Sequence, residues 1–180
     1  MKLWSMSLAL LVSLAAPQTI AHAQQSDPQP AEDVLARLPQ TLLGAPALRL
    51  PTDSSLVTYF GENIGSDPMA GVSAIQSTNT PTLEELRENA RGAFHETGIT
   101  RILRETTFTS PLYPGKEGFF GEYNTRMGLK QSWTIETGQH RIHVGVTLFD
   151  VDDRKRAEAA VAEEIFSGAQ LSSAAQAGSK

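Results

Sequence analysis

Apolar and polar residues alternate most regularly in the last third of the chain. Trp133 and Ile135 fall on one face of a strand predicted at 130–136, because alternate residues of a strand point to the same side. The strand predicted at 140–150 also has one apolar face, formed by Ile142, Val144, Val146 and Leu148. The Thr-Gly-Gln sequence at 137–139 is typical of a tight hairpin connection. The pattern therefore predicts an antiparallel pair whose inward face includes Trp133.

Other segments rich in β-branched and aromatic residues also read as strands, at 56–64, 69–77, 102–109 and 118–129. The first two are separated by Gly-Ser-Asp-Pro, whose residues favour turns, so they predict an early hairpin. Residues 39–50 are apolar but interrupted by proline and glycine. We expect irregular packing segments there.

Two main helices are predicted from their capping signals. The first begins at Thr82, which can exchange hydrogen bonds with Glu85 in a capping box, and Gly98 is expected to end it. The second begins at Asp152 or Asp153 as the cap and continues to about residue 166. A shorter segment at 31–38 has helical spacing of its apolar residues.

This order of elements predicts an α+β fold. We expect an antiparallel sheet of about five to six strands packed against two main helices, in a sandwich-like arrangement. The elements fit a single domain at 31–167, followed by a flexible tail at 168–180 that is rich in Ala, Ser, Gln and Gly.

The first 23 residues have the pattern of a cleavable signal peptide. A short basic start precedes an apolar run at 3–16, and Ala21 and Ala23 are the small residues that a signal peptidase requires, so we expect cleavage after Ala23. The alternative is a membrane anchor, but a spanning helix needs about 20 apolar residues. The sequence thus predicts a periplasmic or secreted protein with a polar linker at 24–30 and no transmembrane segment after cleavage.

The amino-acid composition excludes some kinds of site and argues against some kinds of partner. The chain has no cysteine, so lipid attachment at the cleavage site, disulfides and thiolate metal sites are excluded. Cleavage would leave 157 residues with 14 basic and 20 acidic side chains, a formal charge of −6. An acidic domain is poorly suited to nucleic acid or to an anionic membrane surface, so we expect neither as a partner.

The candidate metal ligands are poorly spaced. Three histidines would survive cleavage: His95, His140 and His143. His140 and His143 are three apart on a predicted strand and so point to opposite faces, and we expect His140 at a solvated hairpin end. The acidic run at 150–153 has only a fragment of the alternation of a calcium loop, and a helix cap explains it.

No catalytic arrangement is readable. A nucleophile-elbow motif is absent, and the glycine pairs lack the spacing of a phosphate-binding loop. Three acidic residues are interpreted as strand-end or outward-facing: Glu117, Glu122 and Glu136. Three aromatic residues are expected in the core rather than on a ligand surface: Phe119, Phe120 and Tyr123. We therefore assign no catalytic, cofactor-binding or metal-ligating residue and expect no cofactor.

The order of the elements and the general character of their sequences resemble the PsbP-like family of exported or lumenal α+β domains. This family includes the DcrB-type periplasmic members. The features that carry the resemblance are the early hairpin, the "TLEELRENARGAF" helix, the "GFFGEYNTRMGLKQSWTI" and "HRIHVGVTLF" strands, and the closing "RAEAAVAEEIF" helix. They cover about residues 56–166. The clear aromatic opening strand that is often seen in the family is missing.

This resemblance implies a non-enzymatic accessory or binding domain of the cell envelope, with another envelope or periplasmic protein as its partner. The loop at 111–118 is the expected binding surface, because loops on a rigid scaffold commonly carry function. The alternative is a small periplasmic hydrolase or ligand carrier with a pocket between the sheet and the helices. A cavity with convergent polar groups would favour that alternative.

Overall fold

The computed structural model describes residues 31–49, 55–77, 79–94 and 96–173. The predicted signal peptide at 1–23 and linker at 24–30 lie outside the described residues, as does the end of the predicted tail at 174–180. None of the helices in the described ranges combines the length and the apolar character that a membrane span needs.

Nine strands are present in the described ranges: β1 (Thr41–Leu42), β2 (Ala45–Arg49), β3 (Leu56–Phe60), β4 (Met69–Gln76), β5 (Ile99–Thr109), β6 (Glu117–Thr125), β7 (Gly128–Glu136), β8 (His140–Leu148) and β9 (Gln170–Leu171). They form one sheet in the order β1-β2-β3-β4-β8-β7-β6-β5-β9, and all neighbours are antiparallel. The predicted β7–β8 hairpin is confirmed, with Trp133 opposite Val144 and Ile135 opposite Ile142.

The helices are short. They are α1 (Ala31–Ala36), α2 (Leu83–Gly92) and α3 (Arg154–Ala160). A 3₁₀ turn (Val151–Asp153) precedes α3 and a π-helical turn (Val161–Ile165) follows it, and together these three pieces form what we call the closing helix, residues 151–165. The capping box of Thr82 and Glu85 is confirmed at the start of α2, but the helix ends at Gly92 and does not continue to Gly98.

The predicted fold class is wrong in its proportions. We expected about five to six strands packed as a sandwich against two main helices, and the structure is dominated by one nine-stranded antiparallel sheet with three short helices. Two of the additional strands, β1 and β2, lie in the segment 39–50, which the proline and glycine content had indicated to be irregular. Leu43 and Gly44 have positive φ angles of 56° and 83° and form the turn between these strands.

Proline is tolerated in β2 because of its position. Pro46 lies opposite Thr41 of β1, a two-residue edge strand, where a missing N–H disrupts little of the ladder. The remaining additional strand, β9, pairs with β5 through Leu171 opposite Phe108. It lies within the segment that the sequence assigns to a flexible tail.

One face of the sheet, which we call the core face, carries the main apolar core. The closing helix covers it through Ala157, Val161 and Ile165, and Leu35 and Leu38 in and after α1 pack into the same cluster. Trp133 is fully buried there, as predicted. Its ring lies 5.1 Å from Phe108, 4.6 Å from Phe120 and 5.9 Å from Phe166 between ring centroids.

The opposite face, which we call the α2 face, has a smaller apolar contact. Leu86 and Ala90 of α2 pack on Phe119 of β6. Beside this contact lies a row of buried polar residues of β7, namely Lys130, Ser132, Thr134 and Glu136. The α2 face therefore buries several polar groups of β7 beside a small apolar contact, whereas the core face carries the main apolar core.

Candidate functional site

The turn of the β7–β8 hairpin places His140 at one end of the sheet. The backbone N–H of His140 donates to Oγ1 of Thr137 at 3.0 Å, and the hydroxyl of Thr137 donates to the His140 carbonyl at 3.0 Å. Gly138 has a φ of 94°, a conformation that glycine adopts without strain. This turn holds the start of β8 in place, so the position of His140 is well determined.

The loop between β5 and β6 lies at the same end. Ser110 is buried, and its hydroxyl donates to the carbonyl of Phe166 at 2.7 Å, which ties the loop to the end of the closing helix. Within the loop, the N–H of Tyr113 donates to Ser110 and the N–H of Lys116 donates to Tyr113, each at 3.1 Å. These bonds position the side chains of Tyr113 and Lys116.

Together these segments line a partly open cavity of about 530 Å³, which we call the hairpin-end cavity. Its volume is in the range of small-molecule sites. Its lining comes from four parts of the chain: the α1 region, the β5–β6 loop, the β7–β8 turn and the end of the closing helix. The lining residues are Val34, Arg37, Leu38, Leu112, Tyr113, Pro114, Lys116, Thr137, Gln139, His140, Glu164, Ile165 and Ser167. The predicted binding loop at 111–118 thus forms one wall of a cavity.

Five polar side chains of this cavity lack partners within the described residues. None of five side chains makes a hydrogen bond or an ion pair to another described residue: Arg37, Tyr113, Lys116, His140 and Glu164. Two of them are cations and one is a carboxylate. The cavity is therefore lined by a modest excess of positive charge that nothing described neutralises.

Burial changes the pKa of one of these groups, and another group is more buried than the sequence indicated. It raises the pKa of the Tyr113 phenol above its usual value, although the nearby Arg37 guanidinium acts in the opposite direction. The phenol therefore remains a hydrogen-bond donor at neutral pH. His140 is only 5 % exposed, so the prediction that it lies at a solvated hairpin end is wrong: it lies on the same face of β8 as Ile142, and the closing helix and the β5–β6 loop line the cavity with it.

Within the described residues, the surroundings of His140 differ from those of a typical catalytic histidine. A catalytic histidine is normally oriented by a third group and positioned next to a nucleophile. The imidazole of His140 has no such orienting partner in the described part of the chain, and the hydroxyl of Thr137 is already engaged with the backbone of residue 140. What the cavity offers is a set of unpaired donors and charges.

The second histidine of the predicted pair is on the other side of the sheet. His143 lies on the α2 face, where its Nδ1 is 3.0 Å from Oγ1 of Thr134. Burial lowers the pKa of His143 to about 4, so its ring is neutral at physiological pH. His95 lies outside the described residues. No group of three or more potential metal ligands occurs among the residues that the structure describes.

The acidic run at 150–153 acts as a helix cap, but not through the residue expected. Asp150 accepts a hydrogen bond from the N–H of Asp152 at 2.9 Å and so caps the 3₁₀ turn. Asp153 instead pairs with Arg156 at 2.8 Å. The cap moved because the helix begins one turn earlier, as a 3₁₀ turn, than the sequence pattern indicated.

Two glutamates that were interpreted as strand-end or outward-facing are buried. Glu122 is completely buried on the core face, where it accepts hydrogen bonds from the guanidinium of Arg154 and from Nε2 of Gln131. Glu136 is 5 % exposed on the α2 face and pairs with Arg141 at 3.3 Å. For Glu122 the prediction failed because neither strand alternation nor spacing reveals its distant partner, Arg154, which the closing helix supplies.

Four of the cavity residues were missed by sequence reasoning: Arg37, Tyr113, Lys116 and Glu164. The only signal was the turn-rich loop at 111–118, which includes two of them.

A scan of the chain against protein-family models found no match, and a search of curated proteins also found none. The resemblance to the PsbP-like family stays a prediction.

Proposed function

We propose that this chain is an exported, non-catalytic binding domain of the cell envelope whose ligand site is the hairpin-end cavity. The observation that carries the proposal is the convergence of unpaired polar side chains from several distant segments on one cavity. Export rests on the signal-peptide pattern of the first 23 residues. The accessory role agrees with the family resemblance, which supplies no catalytic residue to transfer.

The charges indicate the kind of group that binds. Arg37 and Lys116 attract an acidic group, and the protonated phenol of Tyr113 can donate a hydrogen bond to it. Glu164 can accept from a hydroxyl, amide or amine on the same ligand. The site thus fits a carboxylate or phosphate with hydrogen-bond donors beside it, as on an acidic envelope protein or metabolite.

A thermal-shift experiment tests the site with simple probes. The full chain is unfolded in succinate, in inorganic phosphate and in chloride at matched ionic strength. A ligand at ten times its Kd adds about 1.4 kcal/mol of stability, which raises Tm by about 3–5 °C for a domain of this size. Lys116→Met should abolish most of this rise, whereas Arg101→Met, at an exposed arginine outside the cavity, should leave it unchanged. Equal responses of both variants to all three salts would refute the proposal.

The hydrolase alternative requires a separate test. We expect no turnover of general esterase, phosphatase, glycosidase or peptidase substrates above the buffer rate. Turnover that disappears in His140→Gln while the protein keeps its Tm would show that the cavity is an active site.

A further inference from the structure

A second cavity lies between the core face and the closing helix. We propose that it binds a small amphiphilic monocarboxylate, that is, an acid with one carboxylate and a short apolar body. The cavity has a volume of about 460 Å³, in the range of small-ligand sites. It shares no lining residue with the hairpin-end cavity. Because Trp133 is one of its lining residues, we call it the Trp133 cavity.

Short side chains create the room in this cavity. Ala159, Ala162 and Ala169 line it from the closing helix and the segment after it, and Leu171 of β9 lines it from the sheet. Trp133 adds an aromatic surface. Ala162 belongs to the π-helical turn, and π-helical turns occur frequently at functional sites. These residues offer apolar contacts to the body of a ligand but no acceptor for a polar one.

The charged residues of the cavity set the charge of the ligand. Arg104 pairs with Glu158, and its guanidinium lies 4.6 Å from the centre of the Phe120 ring. Arg154 pairs with the buried Glu122. Lys155 also lines the cavity and makes no hydrogen bond or ion pair to any described residue. One positive charge is left without a partner, which matches an anion of charge −1.

Two buried donors of the same cavity are also unpaired. The indole N–H of Trp133 and the Nε of Arg104 are shielded from solvent, and neither has an acceptor among the residues that the structure describes. An unpaired buried donor typically costs about 1–3 kcal/mol. Both atoms are shielded in this structure, so an entering carboxylate reaches them only when the long side chain of Arg104 turns. The carboxylate then supplies the acceptor oxygens that these donors otherwise lack. This is why a carboxylate fits the cavity better than a neutral alcohol.

Trp133 also provides the readout for a binding experiment. The chain has two tryptophans, Trp4 and Trp133, so the full chain carrying Trp4→Phe reports on Trp133 alone. Its emission is titrated with octanoate and with octanol, which have the same chain length and differ in charge. Octanoate should change the emission saturably and should bind at least about tenfold more tightly than octanol, because it supplies a charged acceptor.

Variants locate the binding. Ala159 is exposed at the edge of the Trp133 cavity, so Ala159→Leu should block the cavity without disturbing the core. Ala93→Leu is the matched control, since Ala93 is also exposed and lies at the end of α2. Lys155→Met should weaken octanoate binding about threefold to fivefold, as for a partly exposed ion pair. Lys116→Met should have no effect on octanoate, because Lys116 lines the other cavity.

The outcomes separate this inference from the proposed function. Saturable octanoate binding that Ala159→Leu removes and Ala93→Leu preserves supports the inference. Octanol binding as tight as octanoate binding overturns the assignment of a carboxylate. Octanoate binding that is absent, or unaffected by Ala159→Leu, overturns the site itself. Neither negative result bears on the response to succinate or phosphate that Lys116 controls.

Discussion

Replacing Glu122 with glutamine removes one negative charge from the core while preserving the volume of the side chain. Glu122 is fully buried and accepts hydrogen bonds from the guanidinium of Arg154 and, at 3.1 Å, from Nε2 of Gln131. Gln131 also donates to the backbone carbonyl of Arg154 at 3.0 Å. The glutamate therefore attaches the start of α3 to β6 and β7.

The expected loss of stability follows from this geometry. Breaking a buried ion pair by changing one partner typically costs about 3–5 kcal/mol. The Arg154 side chain is 38 % exposed, so water can partly solvate its charge in the variant. We therefore expect Glu122→Gln to lower the free energy of unfolding by about 2–3 kcal/mol, below the fully buried range. For a domain of this size, this corresponds to a fall in Tm of about 5–10 °C.

The matched control is an exposed ion pair on the same helical segment. Asp153 and Arg156 pair at 2.8 Å, but the Arg156 side chain is 60 % exposed, so Asp153→Asn should cost less than about 1 kcal/mol. Double-mutant cycles with Arg154→Met and Arg156→Met, measured by urea unfolding, give the two coupling energies. A coupling for Glu122 and Arg154 no larger than that for the exposed pair would refute the anchoring role of Glu122.

Three further predictions concern the core, the α2 face and the N-terminus. Trp133→Ala removes a fully buried ring that packs on three others, so it should cost about 3–5 kcal/mol in urea unfolding, and a variant with wild-type Tm would contradict its core position. The pKa of His143 is lowered to about 4 in the folded state, compared with its usual value of 6.5. Between these two pH values the unfolded chain therefore binds more protons than the folded chain, so the stability of the fold should decrease as the pH drops through this window. His143→Gln should lose less stability between pH 7 and pH 4.5, and an identical pH profile would exclude His143 as the cause. Protein recovered from an exported fraction should begin at Gln24, as intact mass would show, and a mass that retains Met1 to Ala23 would disprove cleavage there.

Local signals predicted the best-defined elements of the fold. The alternation around Trp133 and Val144 identified the β7–β8 hairpin, and the capping box of Thr82 and Glu85 identified the start of α2. Each of these two elements depends on interactions between residues close in sequence, so a pattern over a few positions is sufficient to predict it. The inward position of Trp133 followed from the same alternation.

The size of the sheet was not predictable in this way. Pro46 lies within β2, Gly44 lies in the turn between β1 and β2, and β9 consists of only two residues, Gln170–Leu171. These strands exist because neighbouring strands offer them hydrogen bonds, and no local propensity shows that. The closing helix was located correctly but was expected as one continuous helix, whereas it passes through 3₁₀, α and π geometry.

The candidate site was largely hidden in the sequence for the same reason. Its charged residues come from segments that are distant along the chain, such as Arg37 and Glu164, and only the fold brings them together. Only the loop at 111–118 was indicated in advance. The burial of Glu122 was missed because its partner, Arg154, arrives from another element.

The most direct test of the proposed binding function is a two-dimensional ¹⁵N–¹H NMR titration of the full chain with succinate. Our account predicts saturable shifts of the amides that surround the hairpin-end cavity, at Lys116, Gln139 and His140, with little change around Trp133. The double variant Arg37→Met and Lys116→Met should lose these shifts while its remaining spectrum stays that of the folded protein. Absence of saturable shifts in the wild-type chain, or identical shifts in the double variant, would contradict the assignment of the hairpin-end cavity as the ligand site.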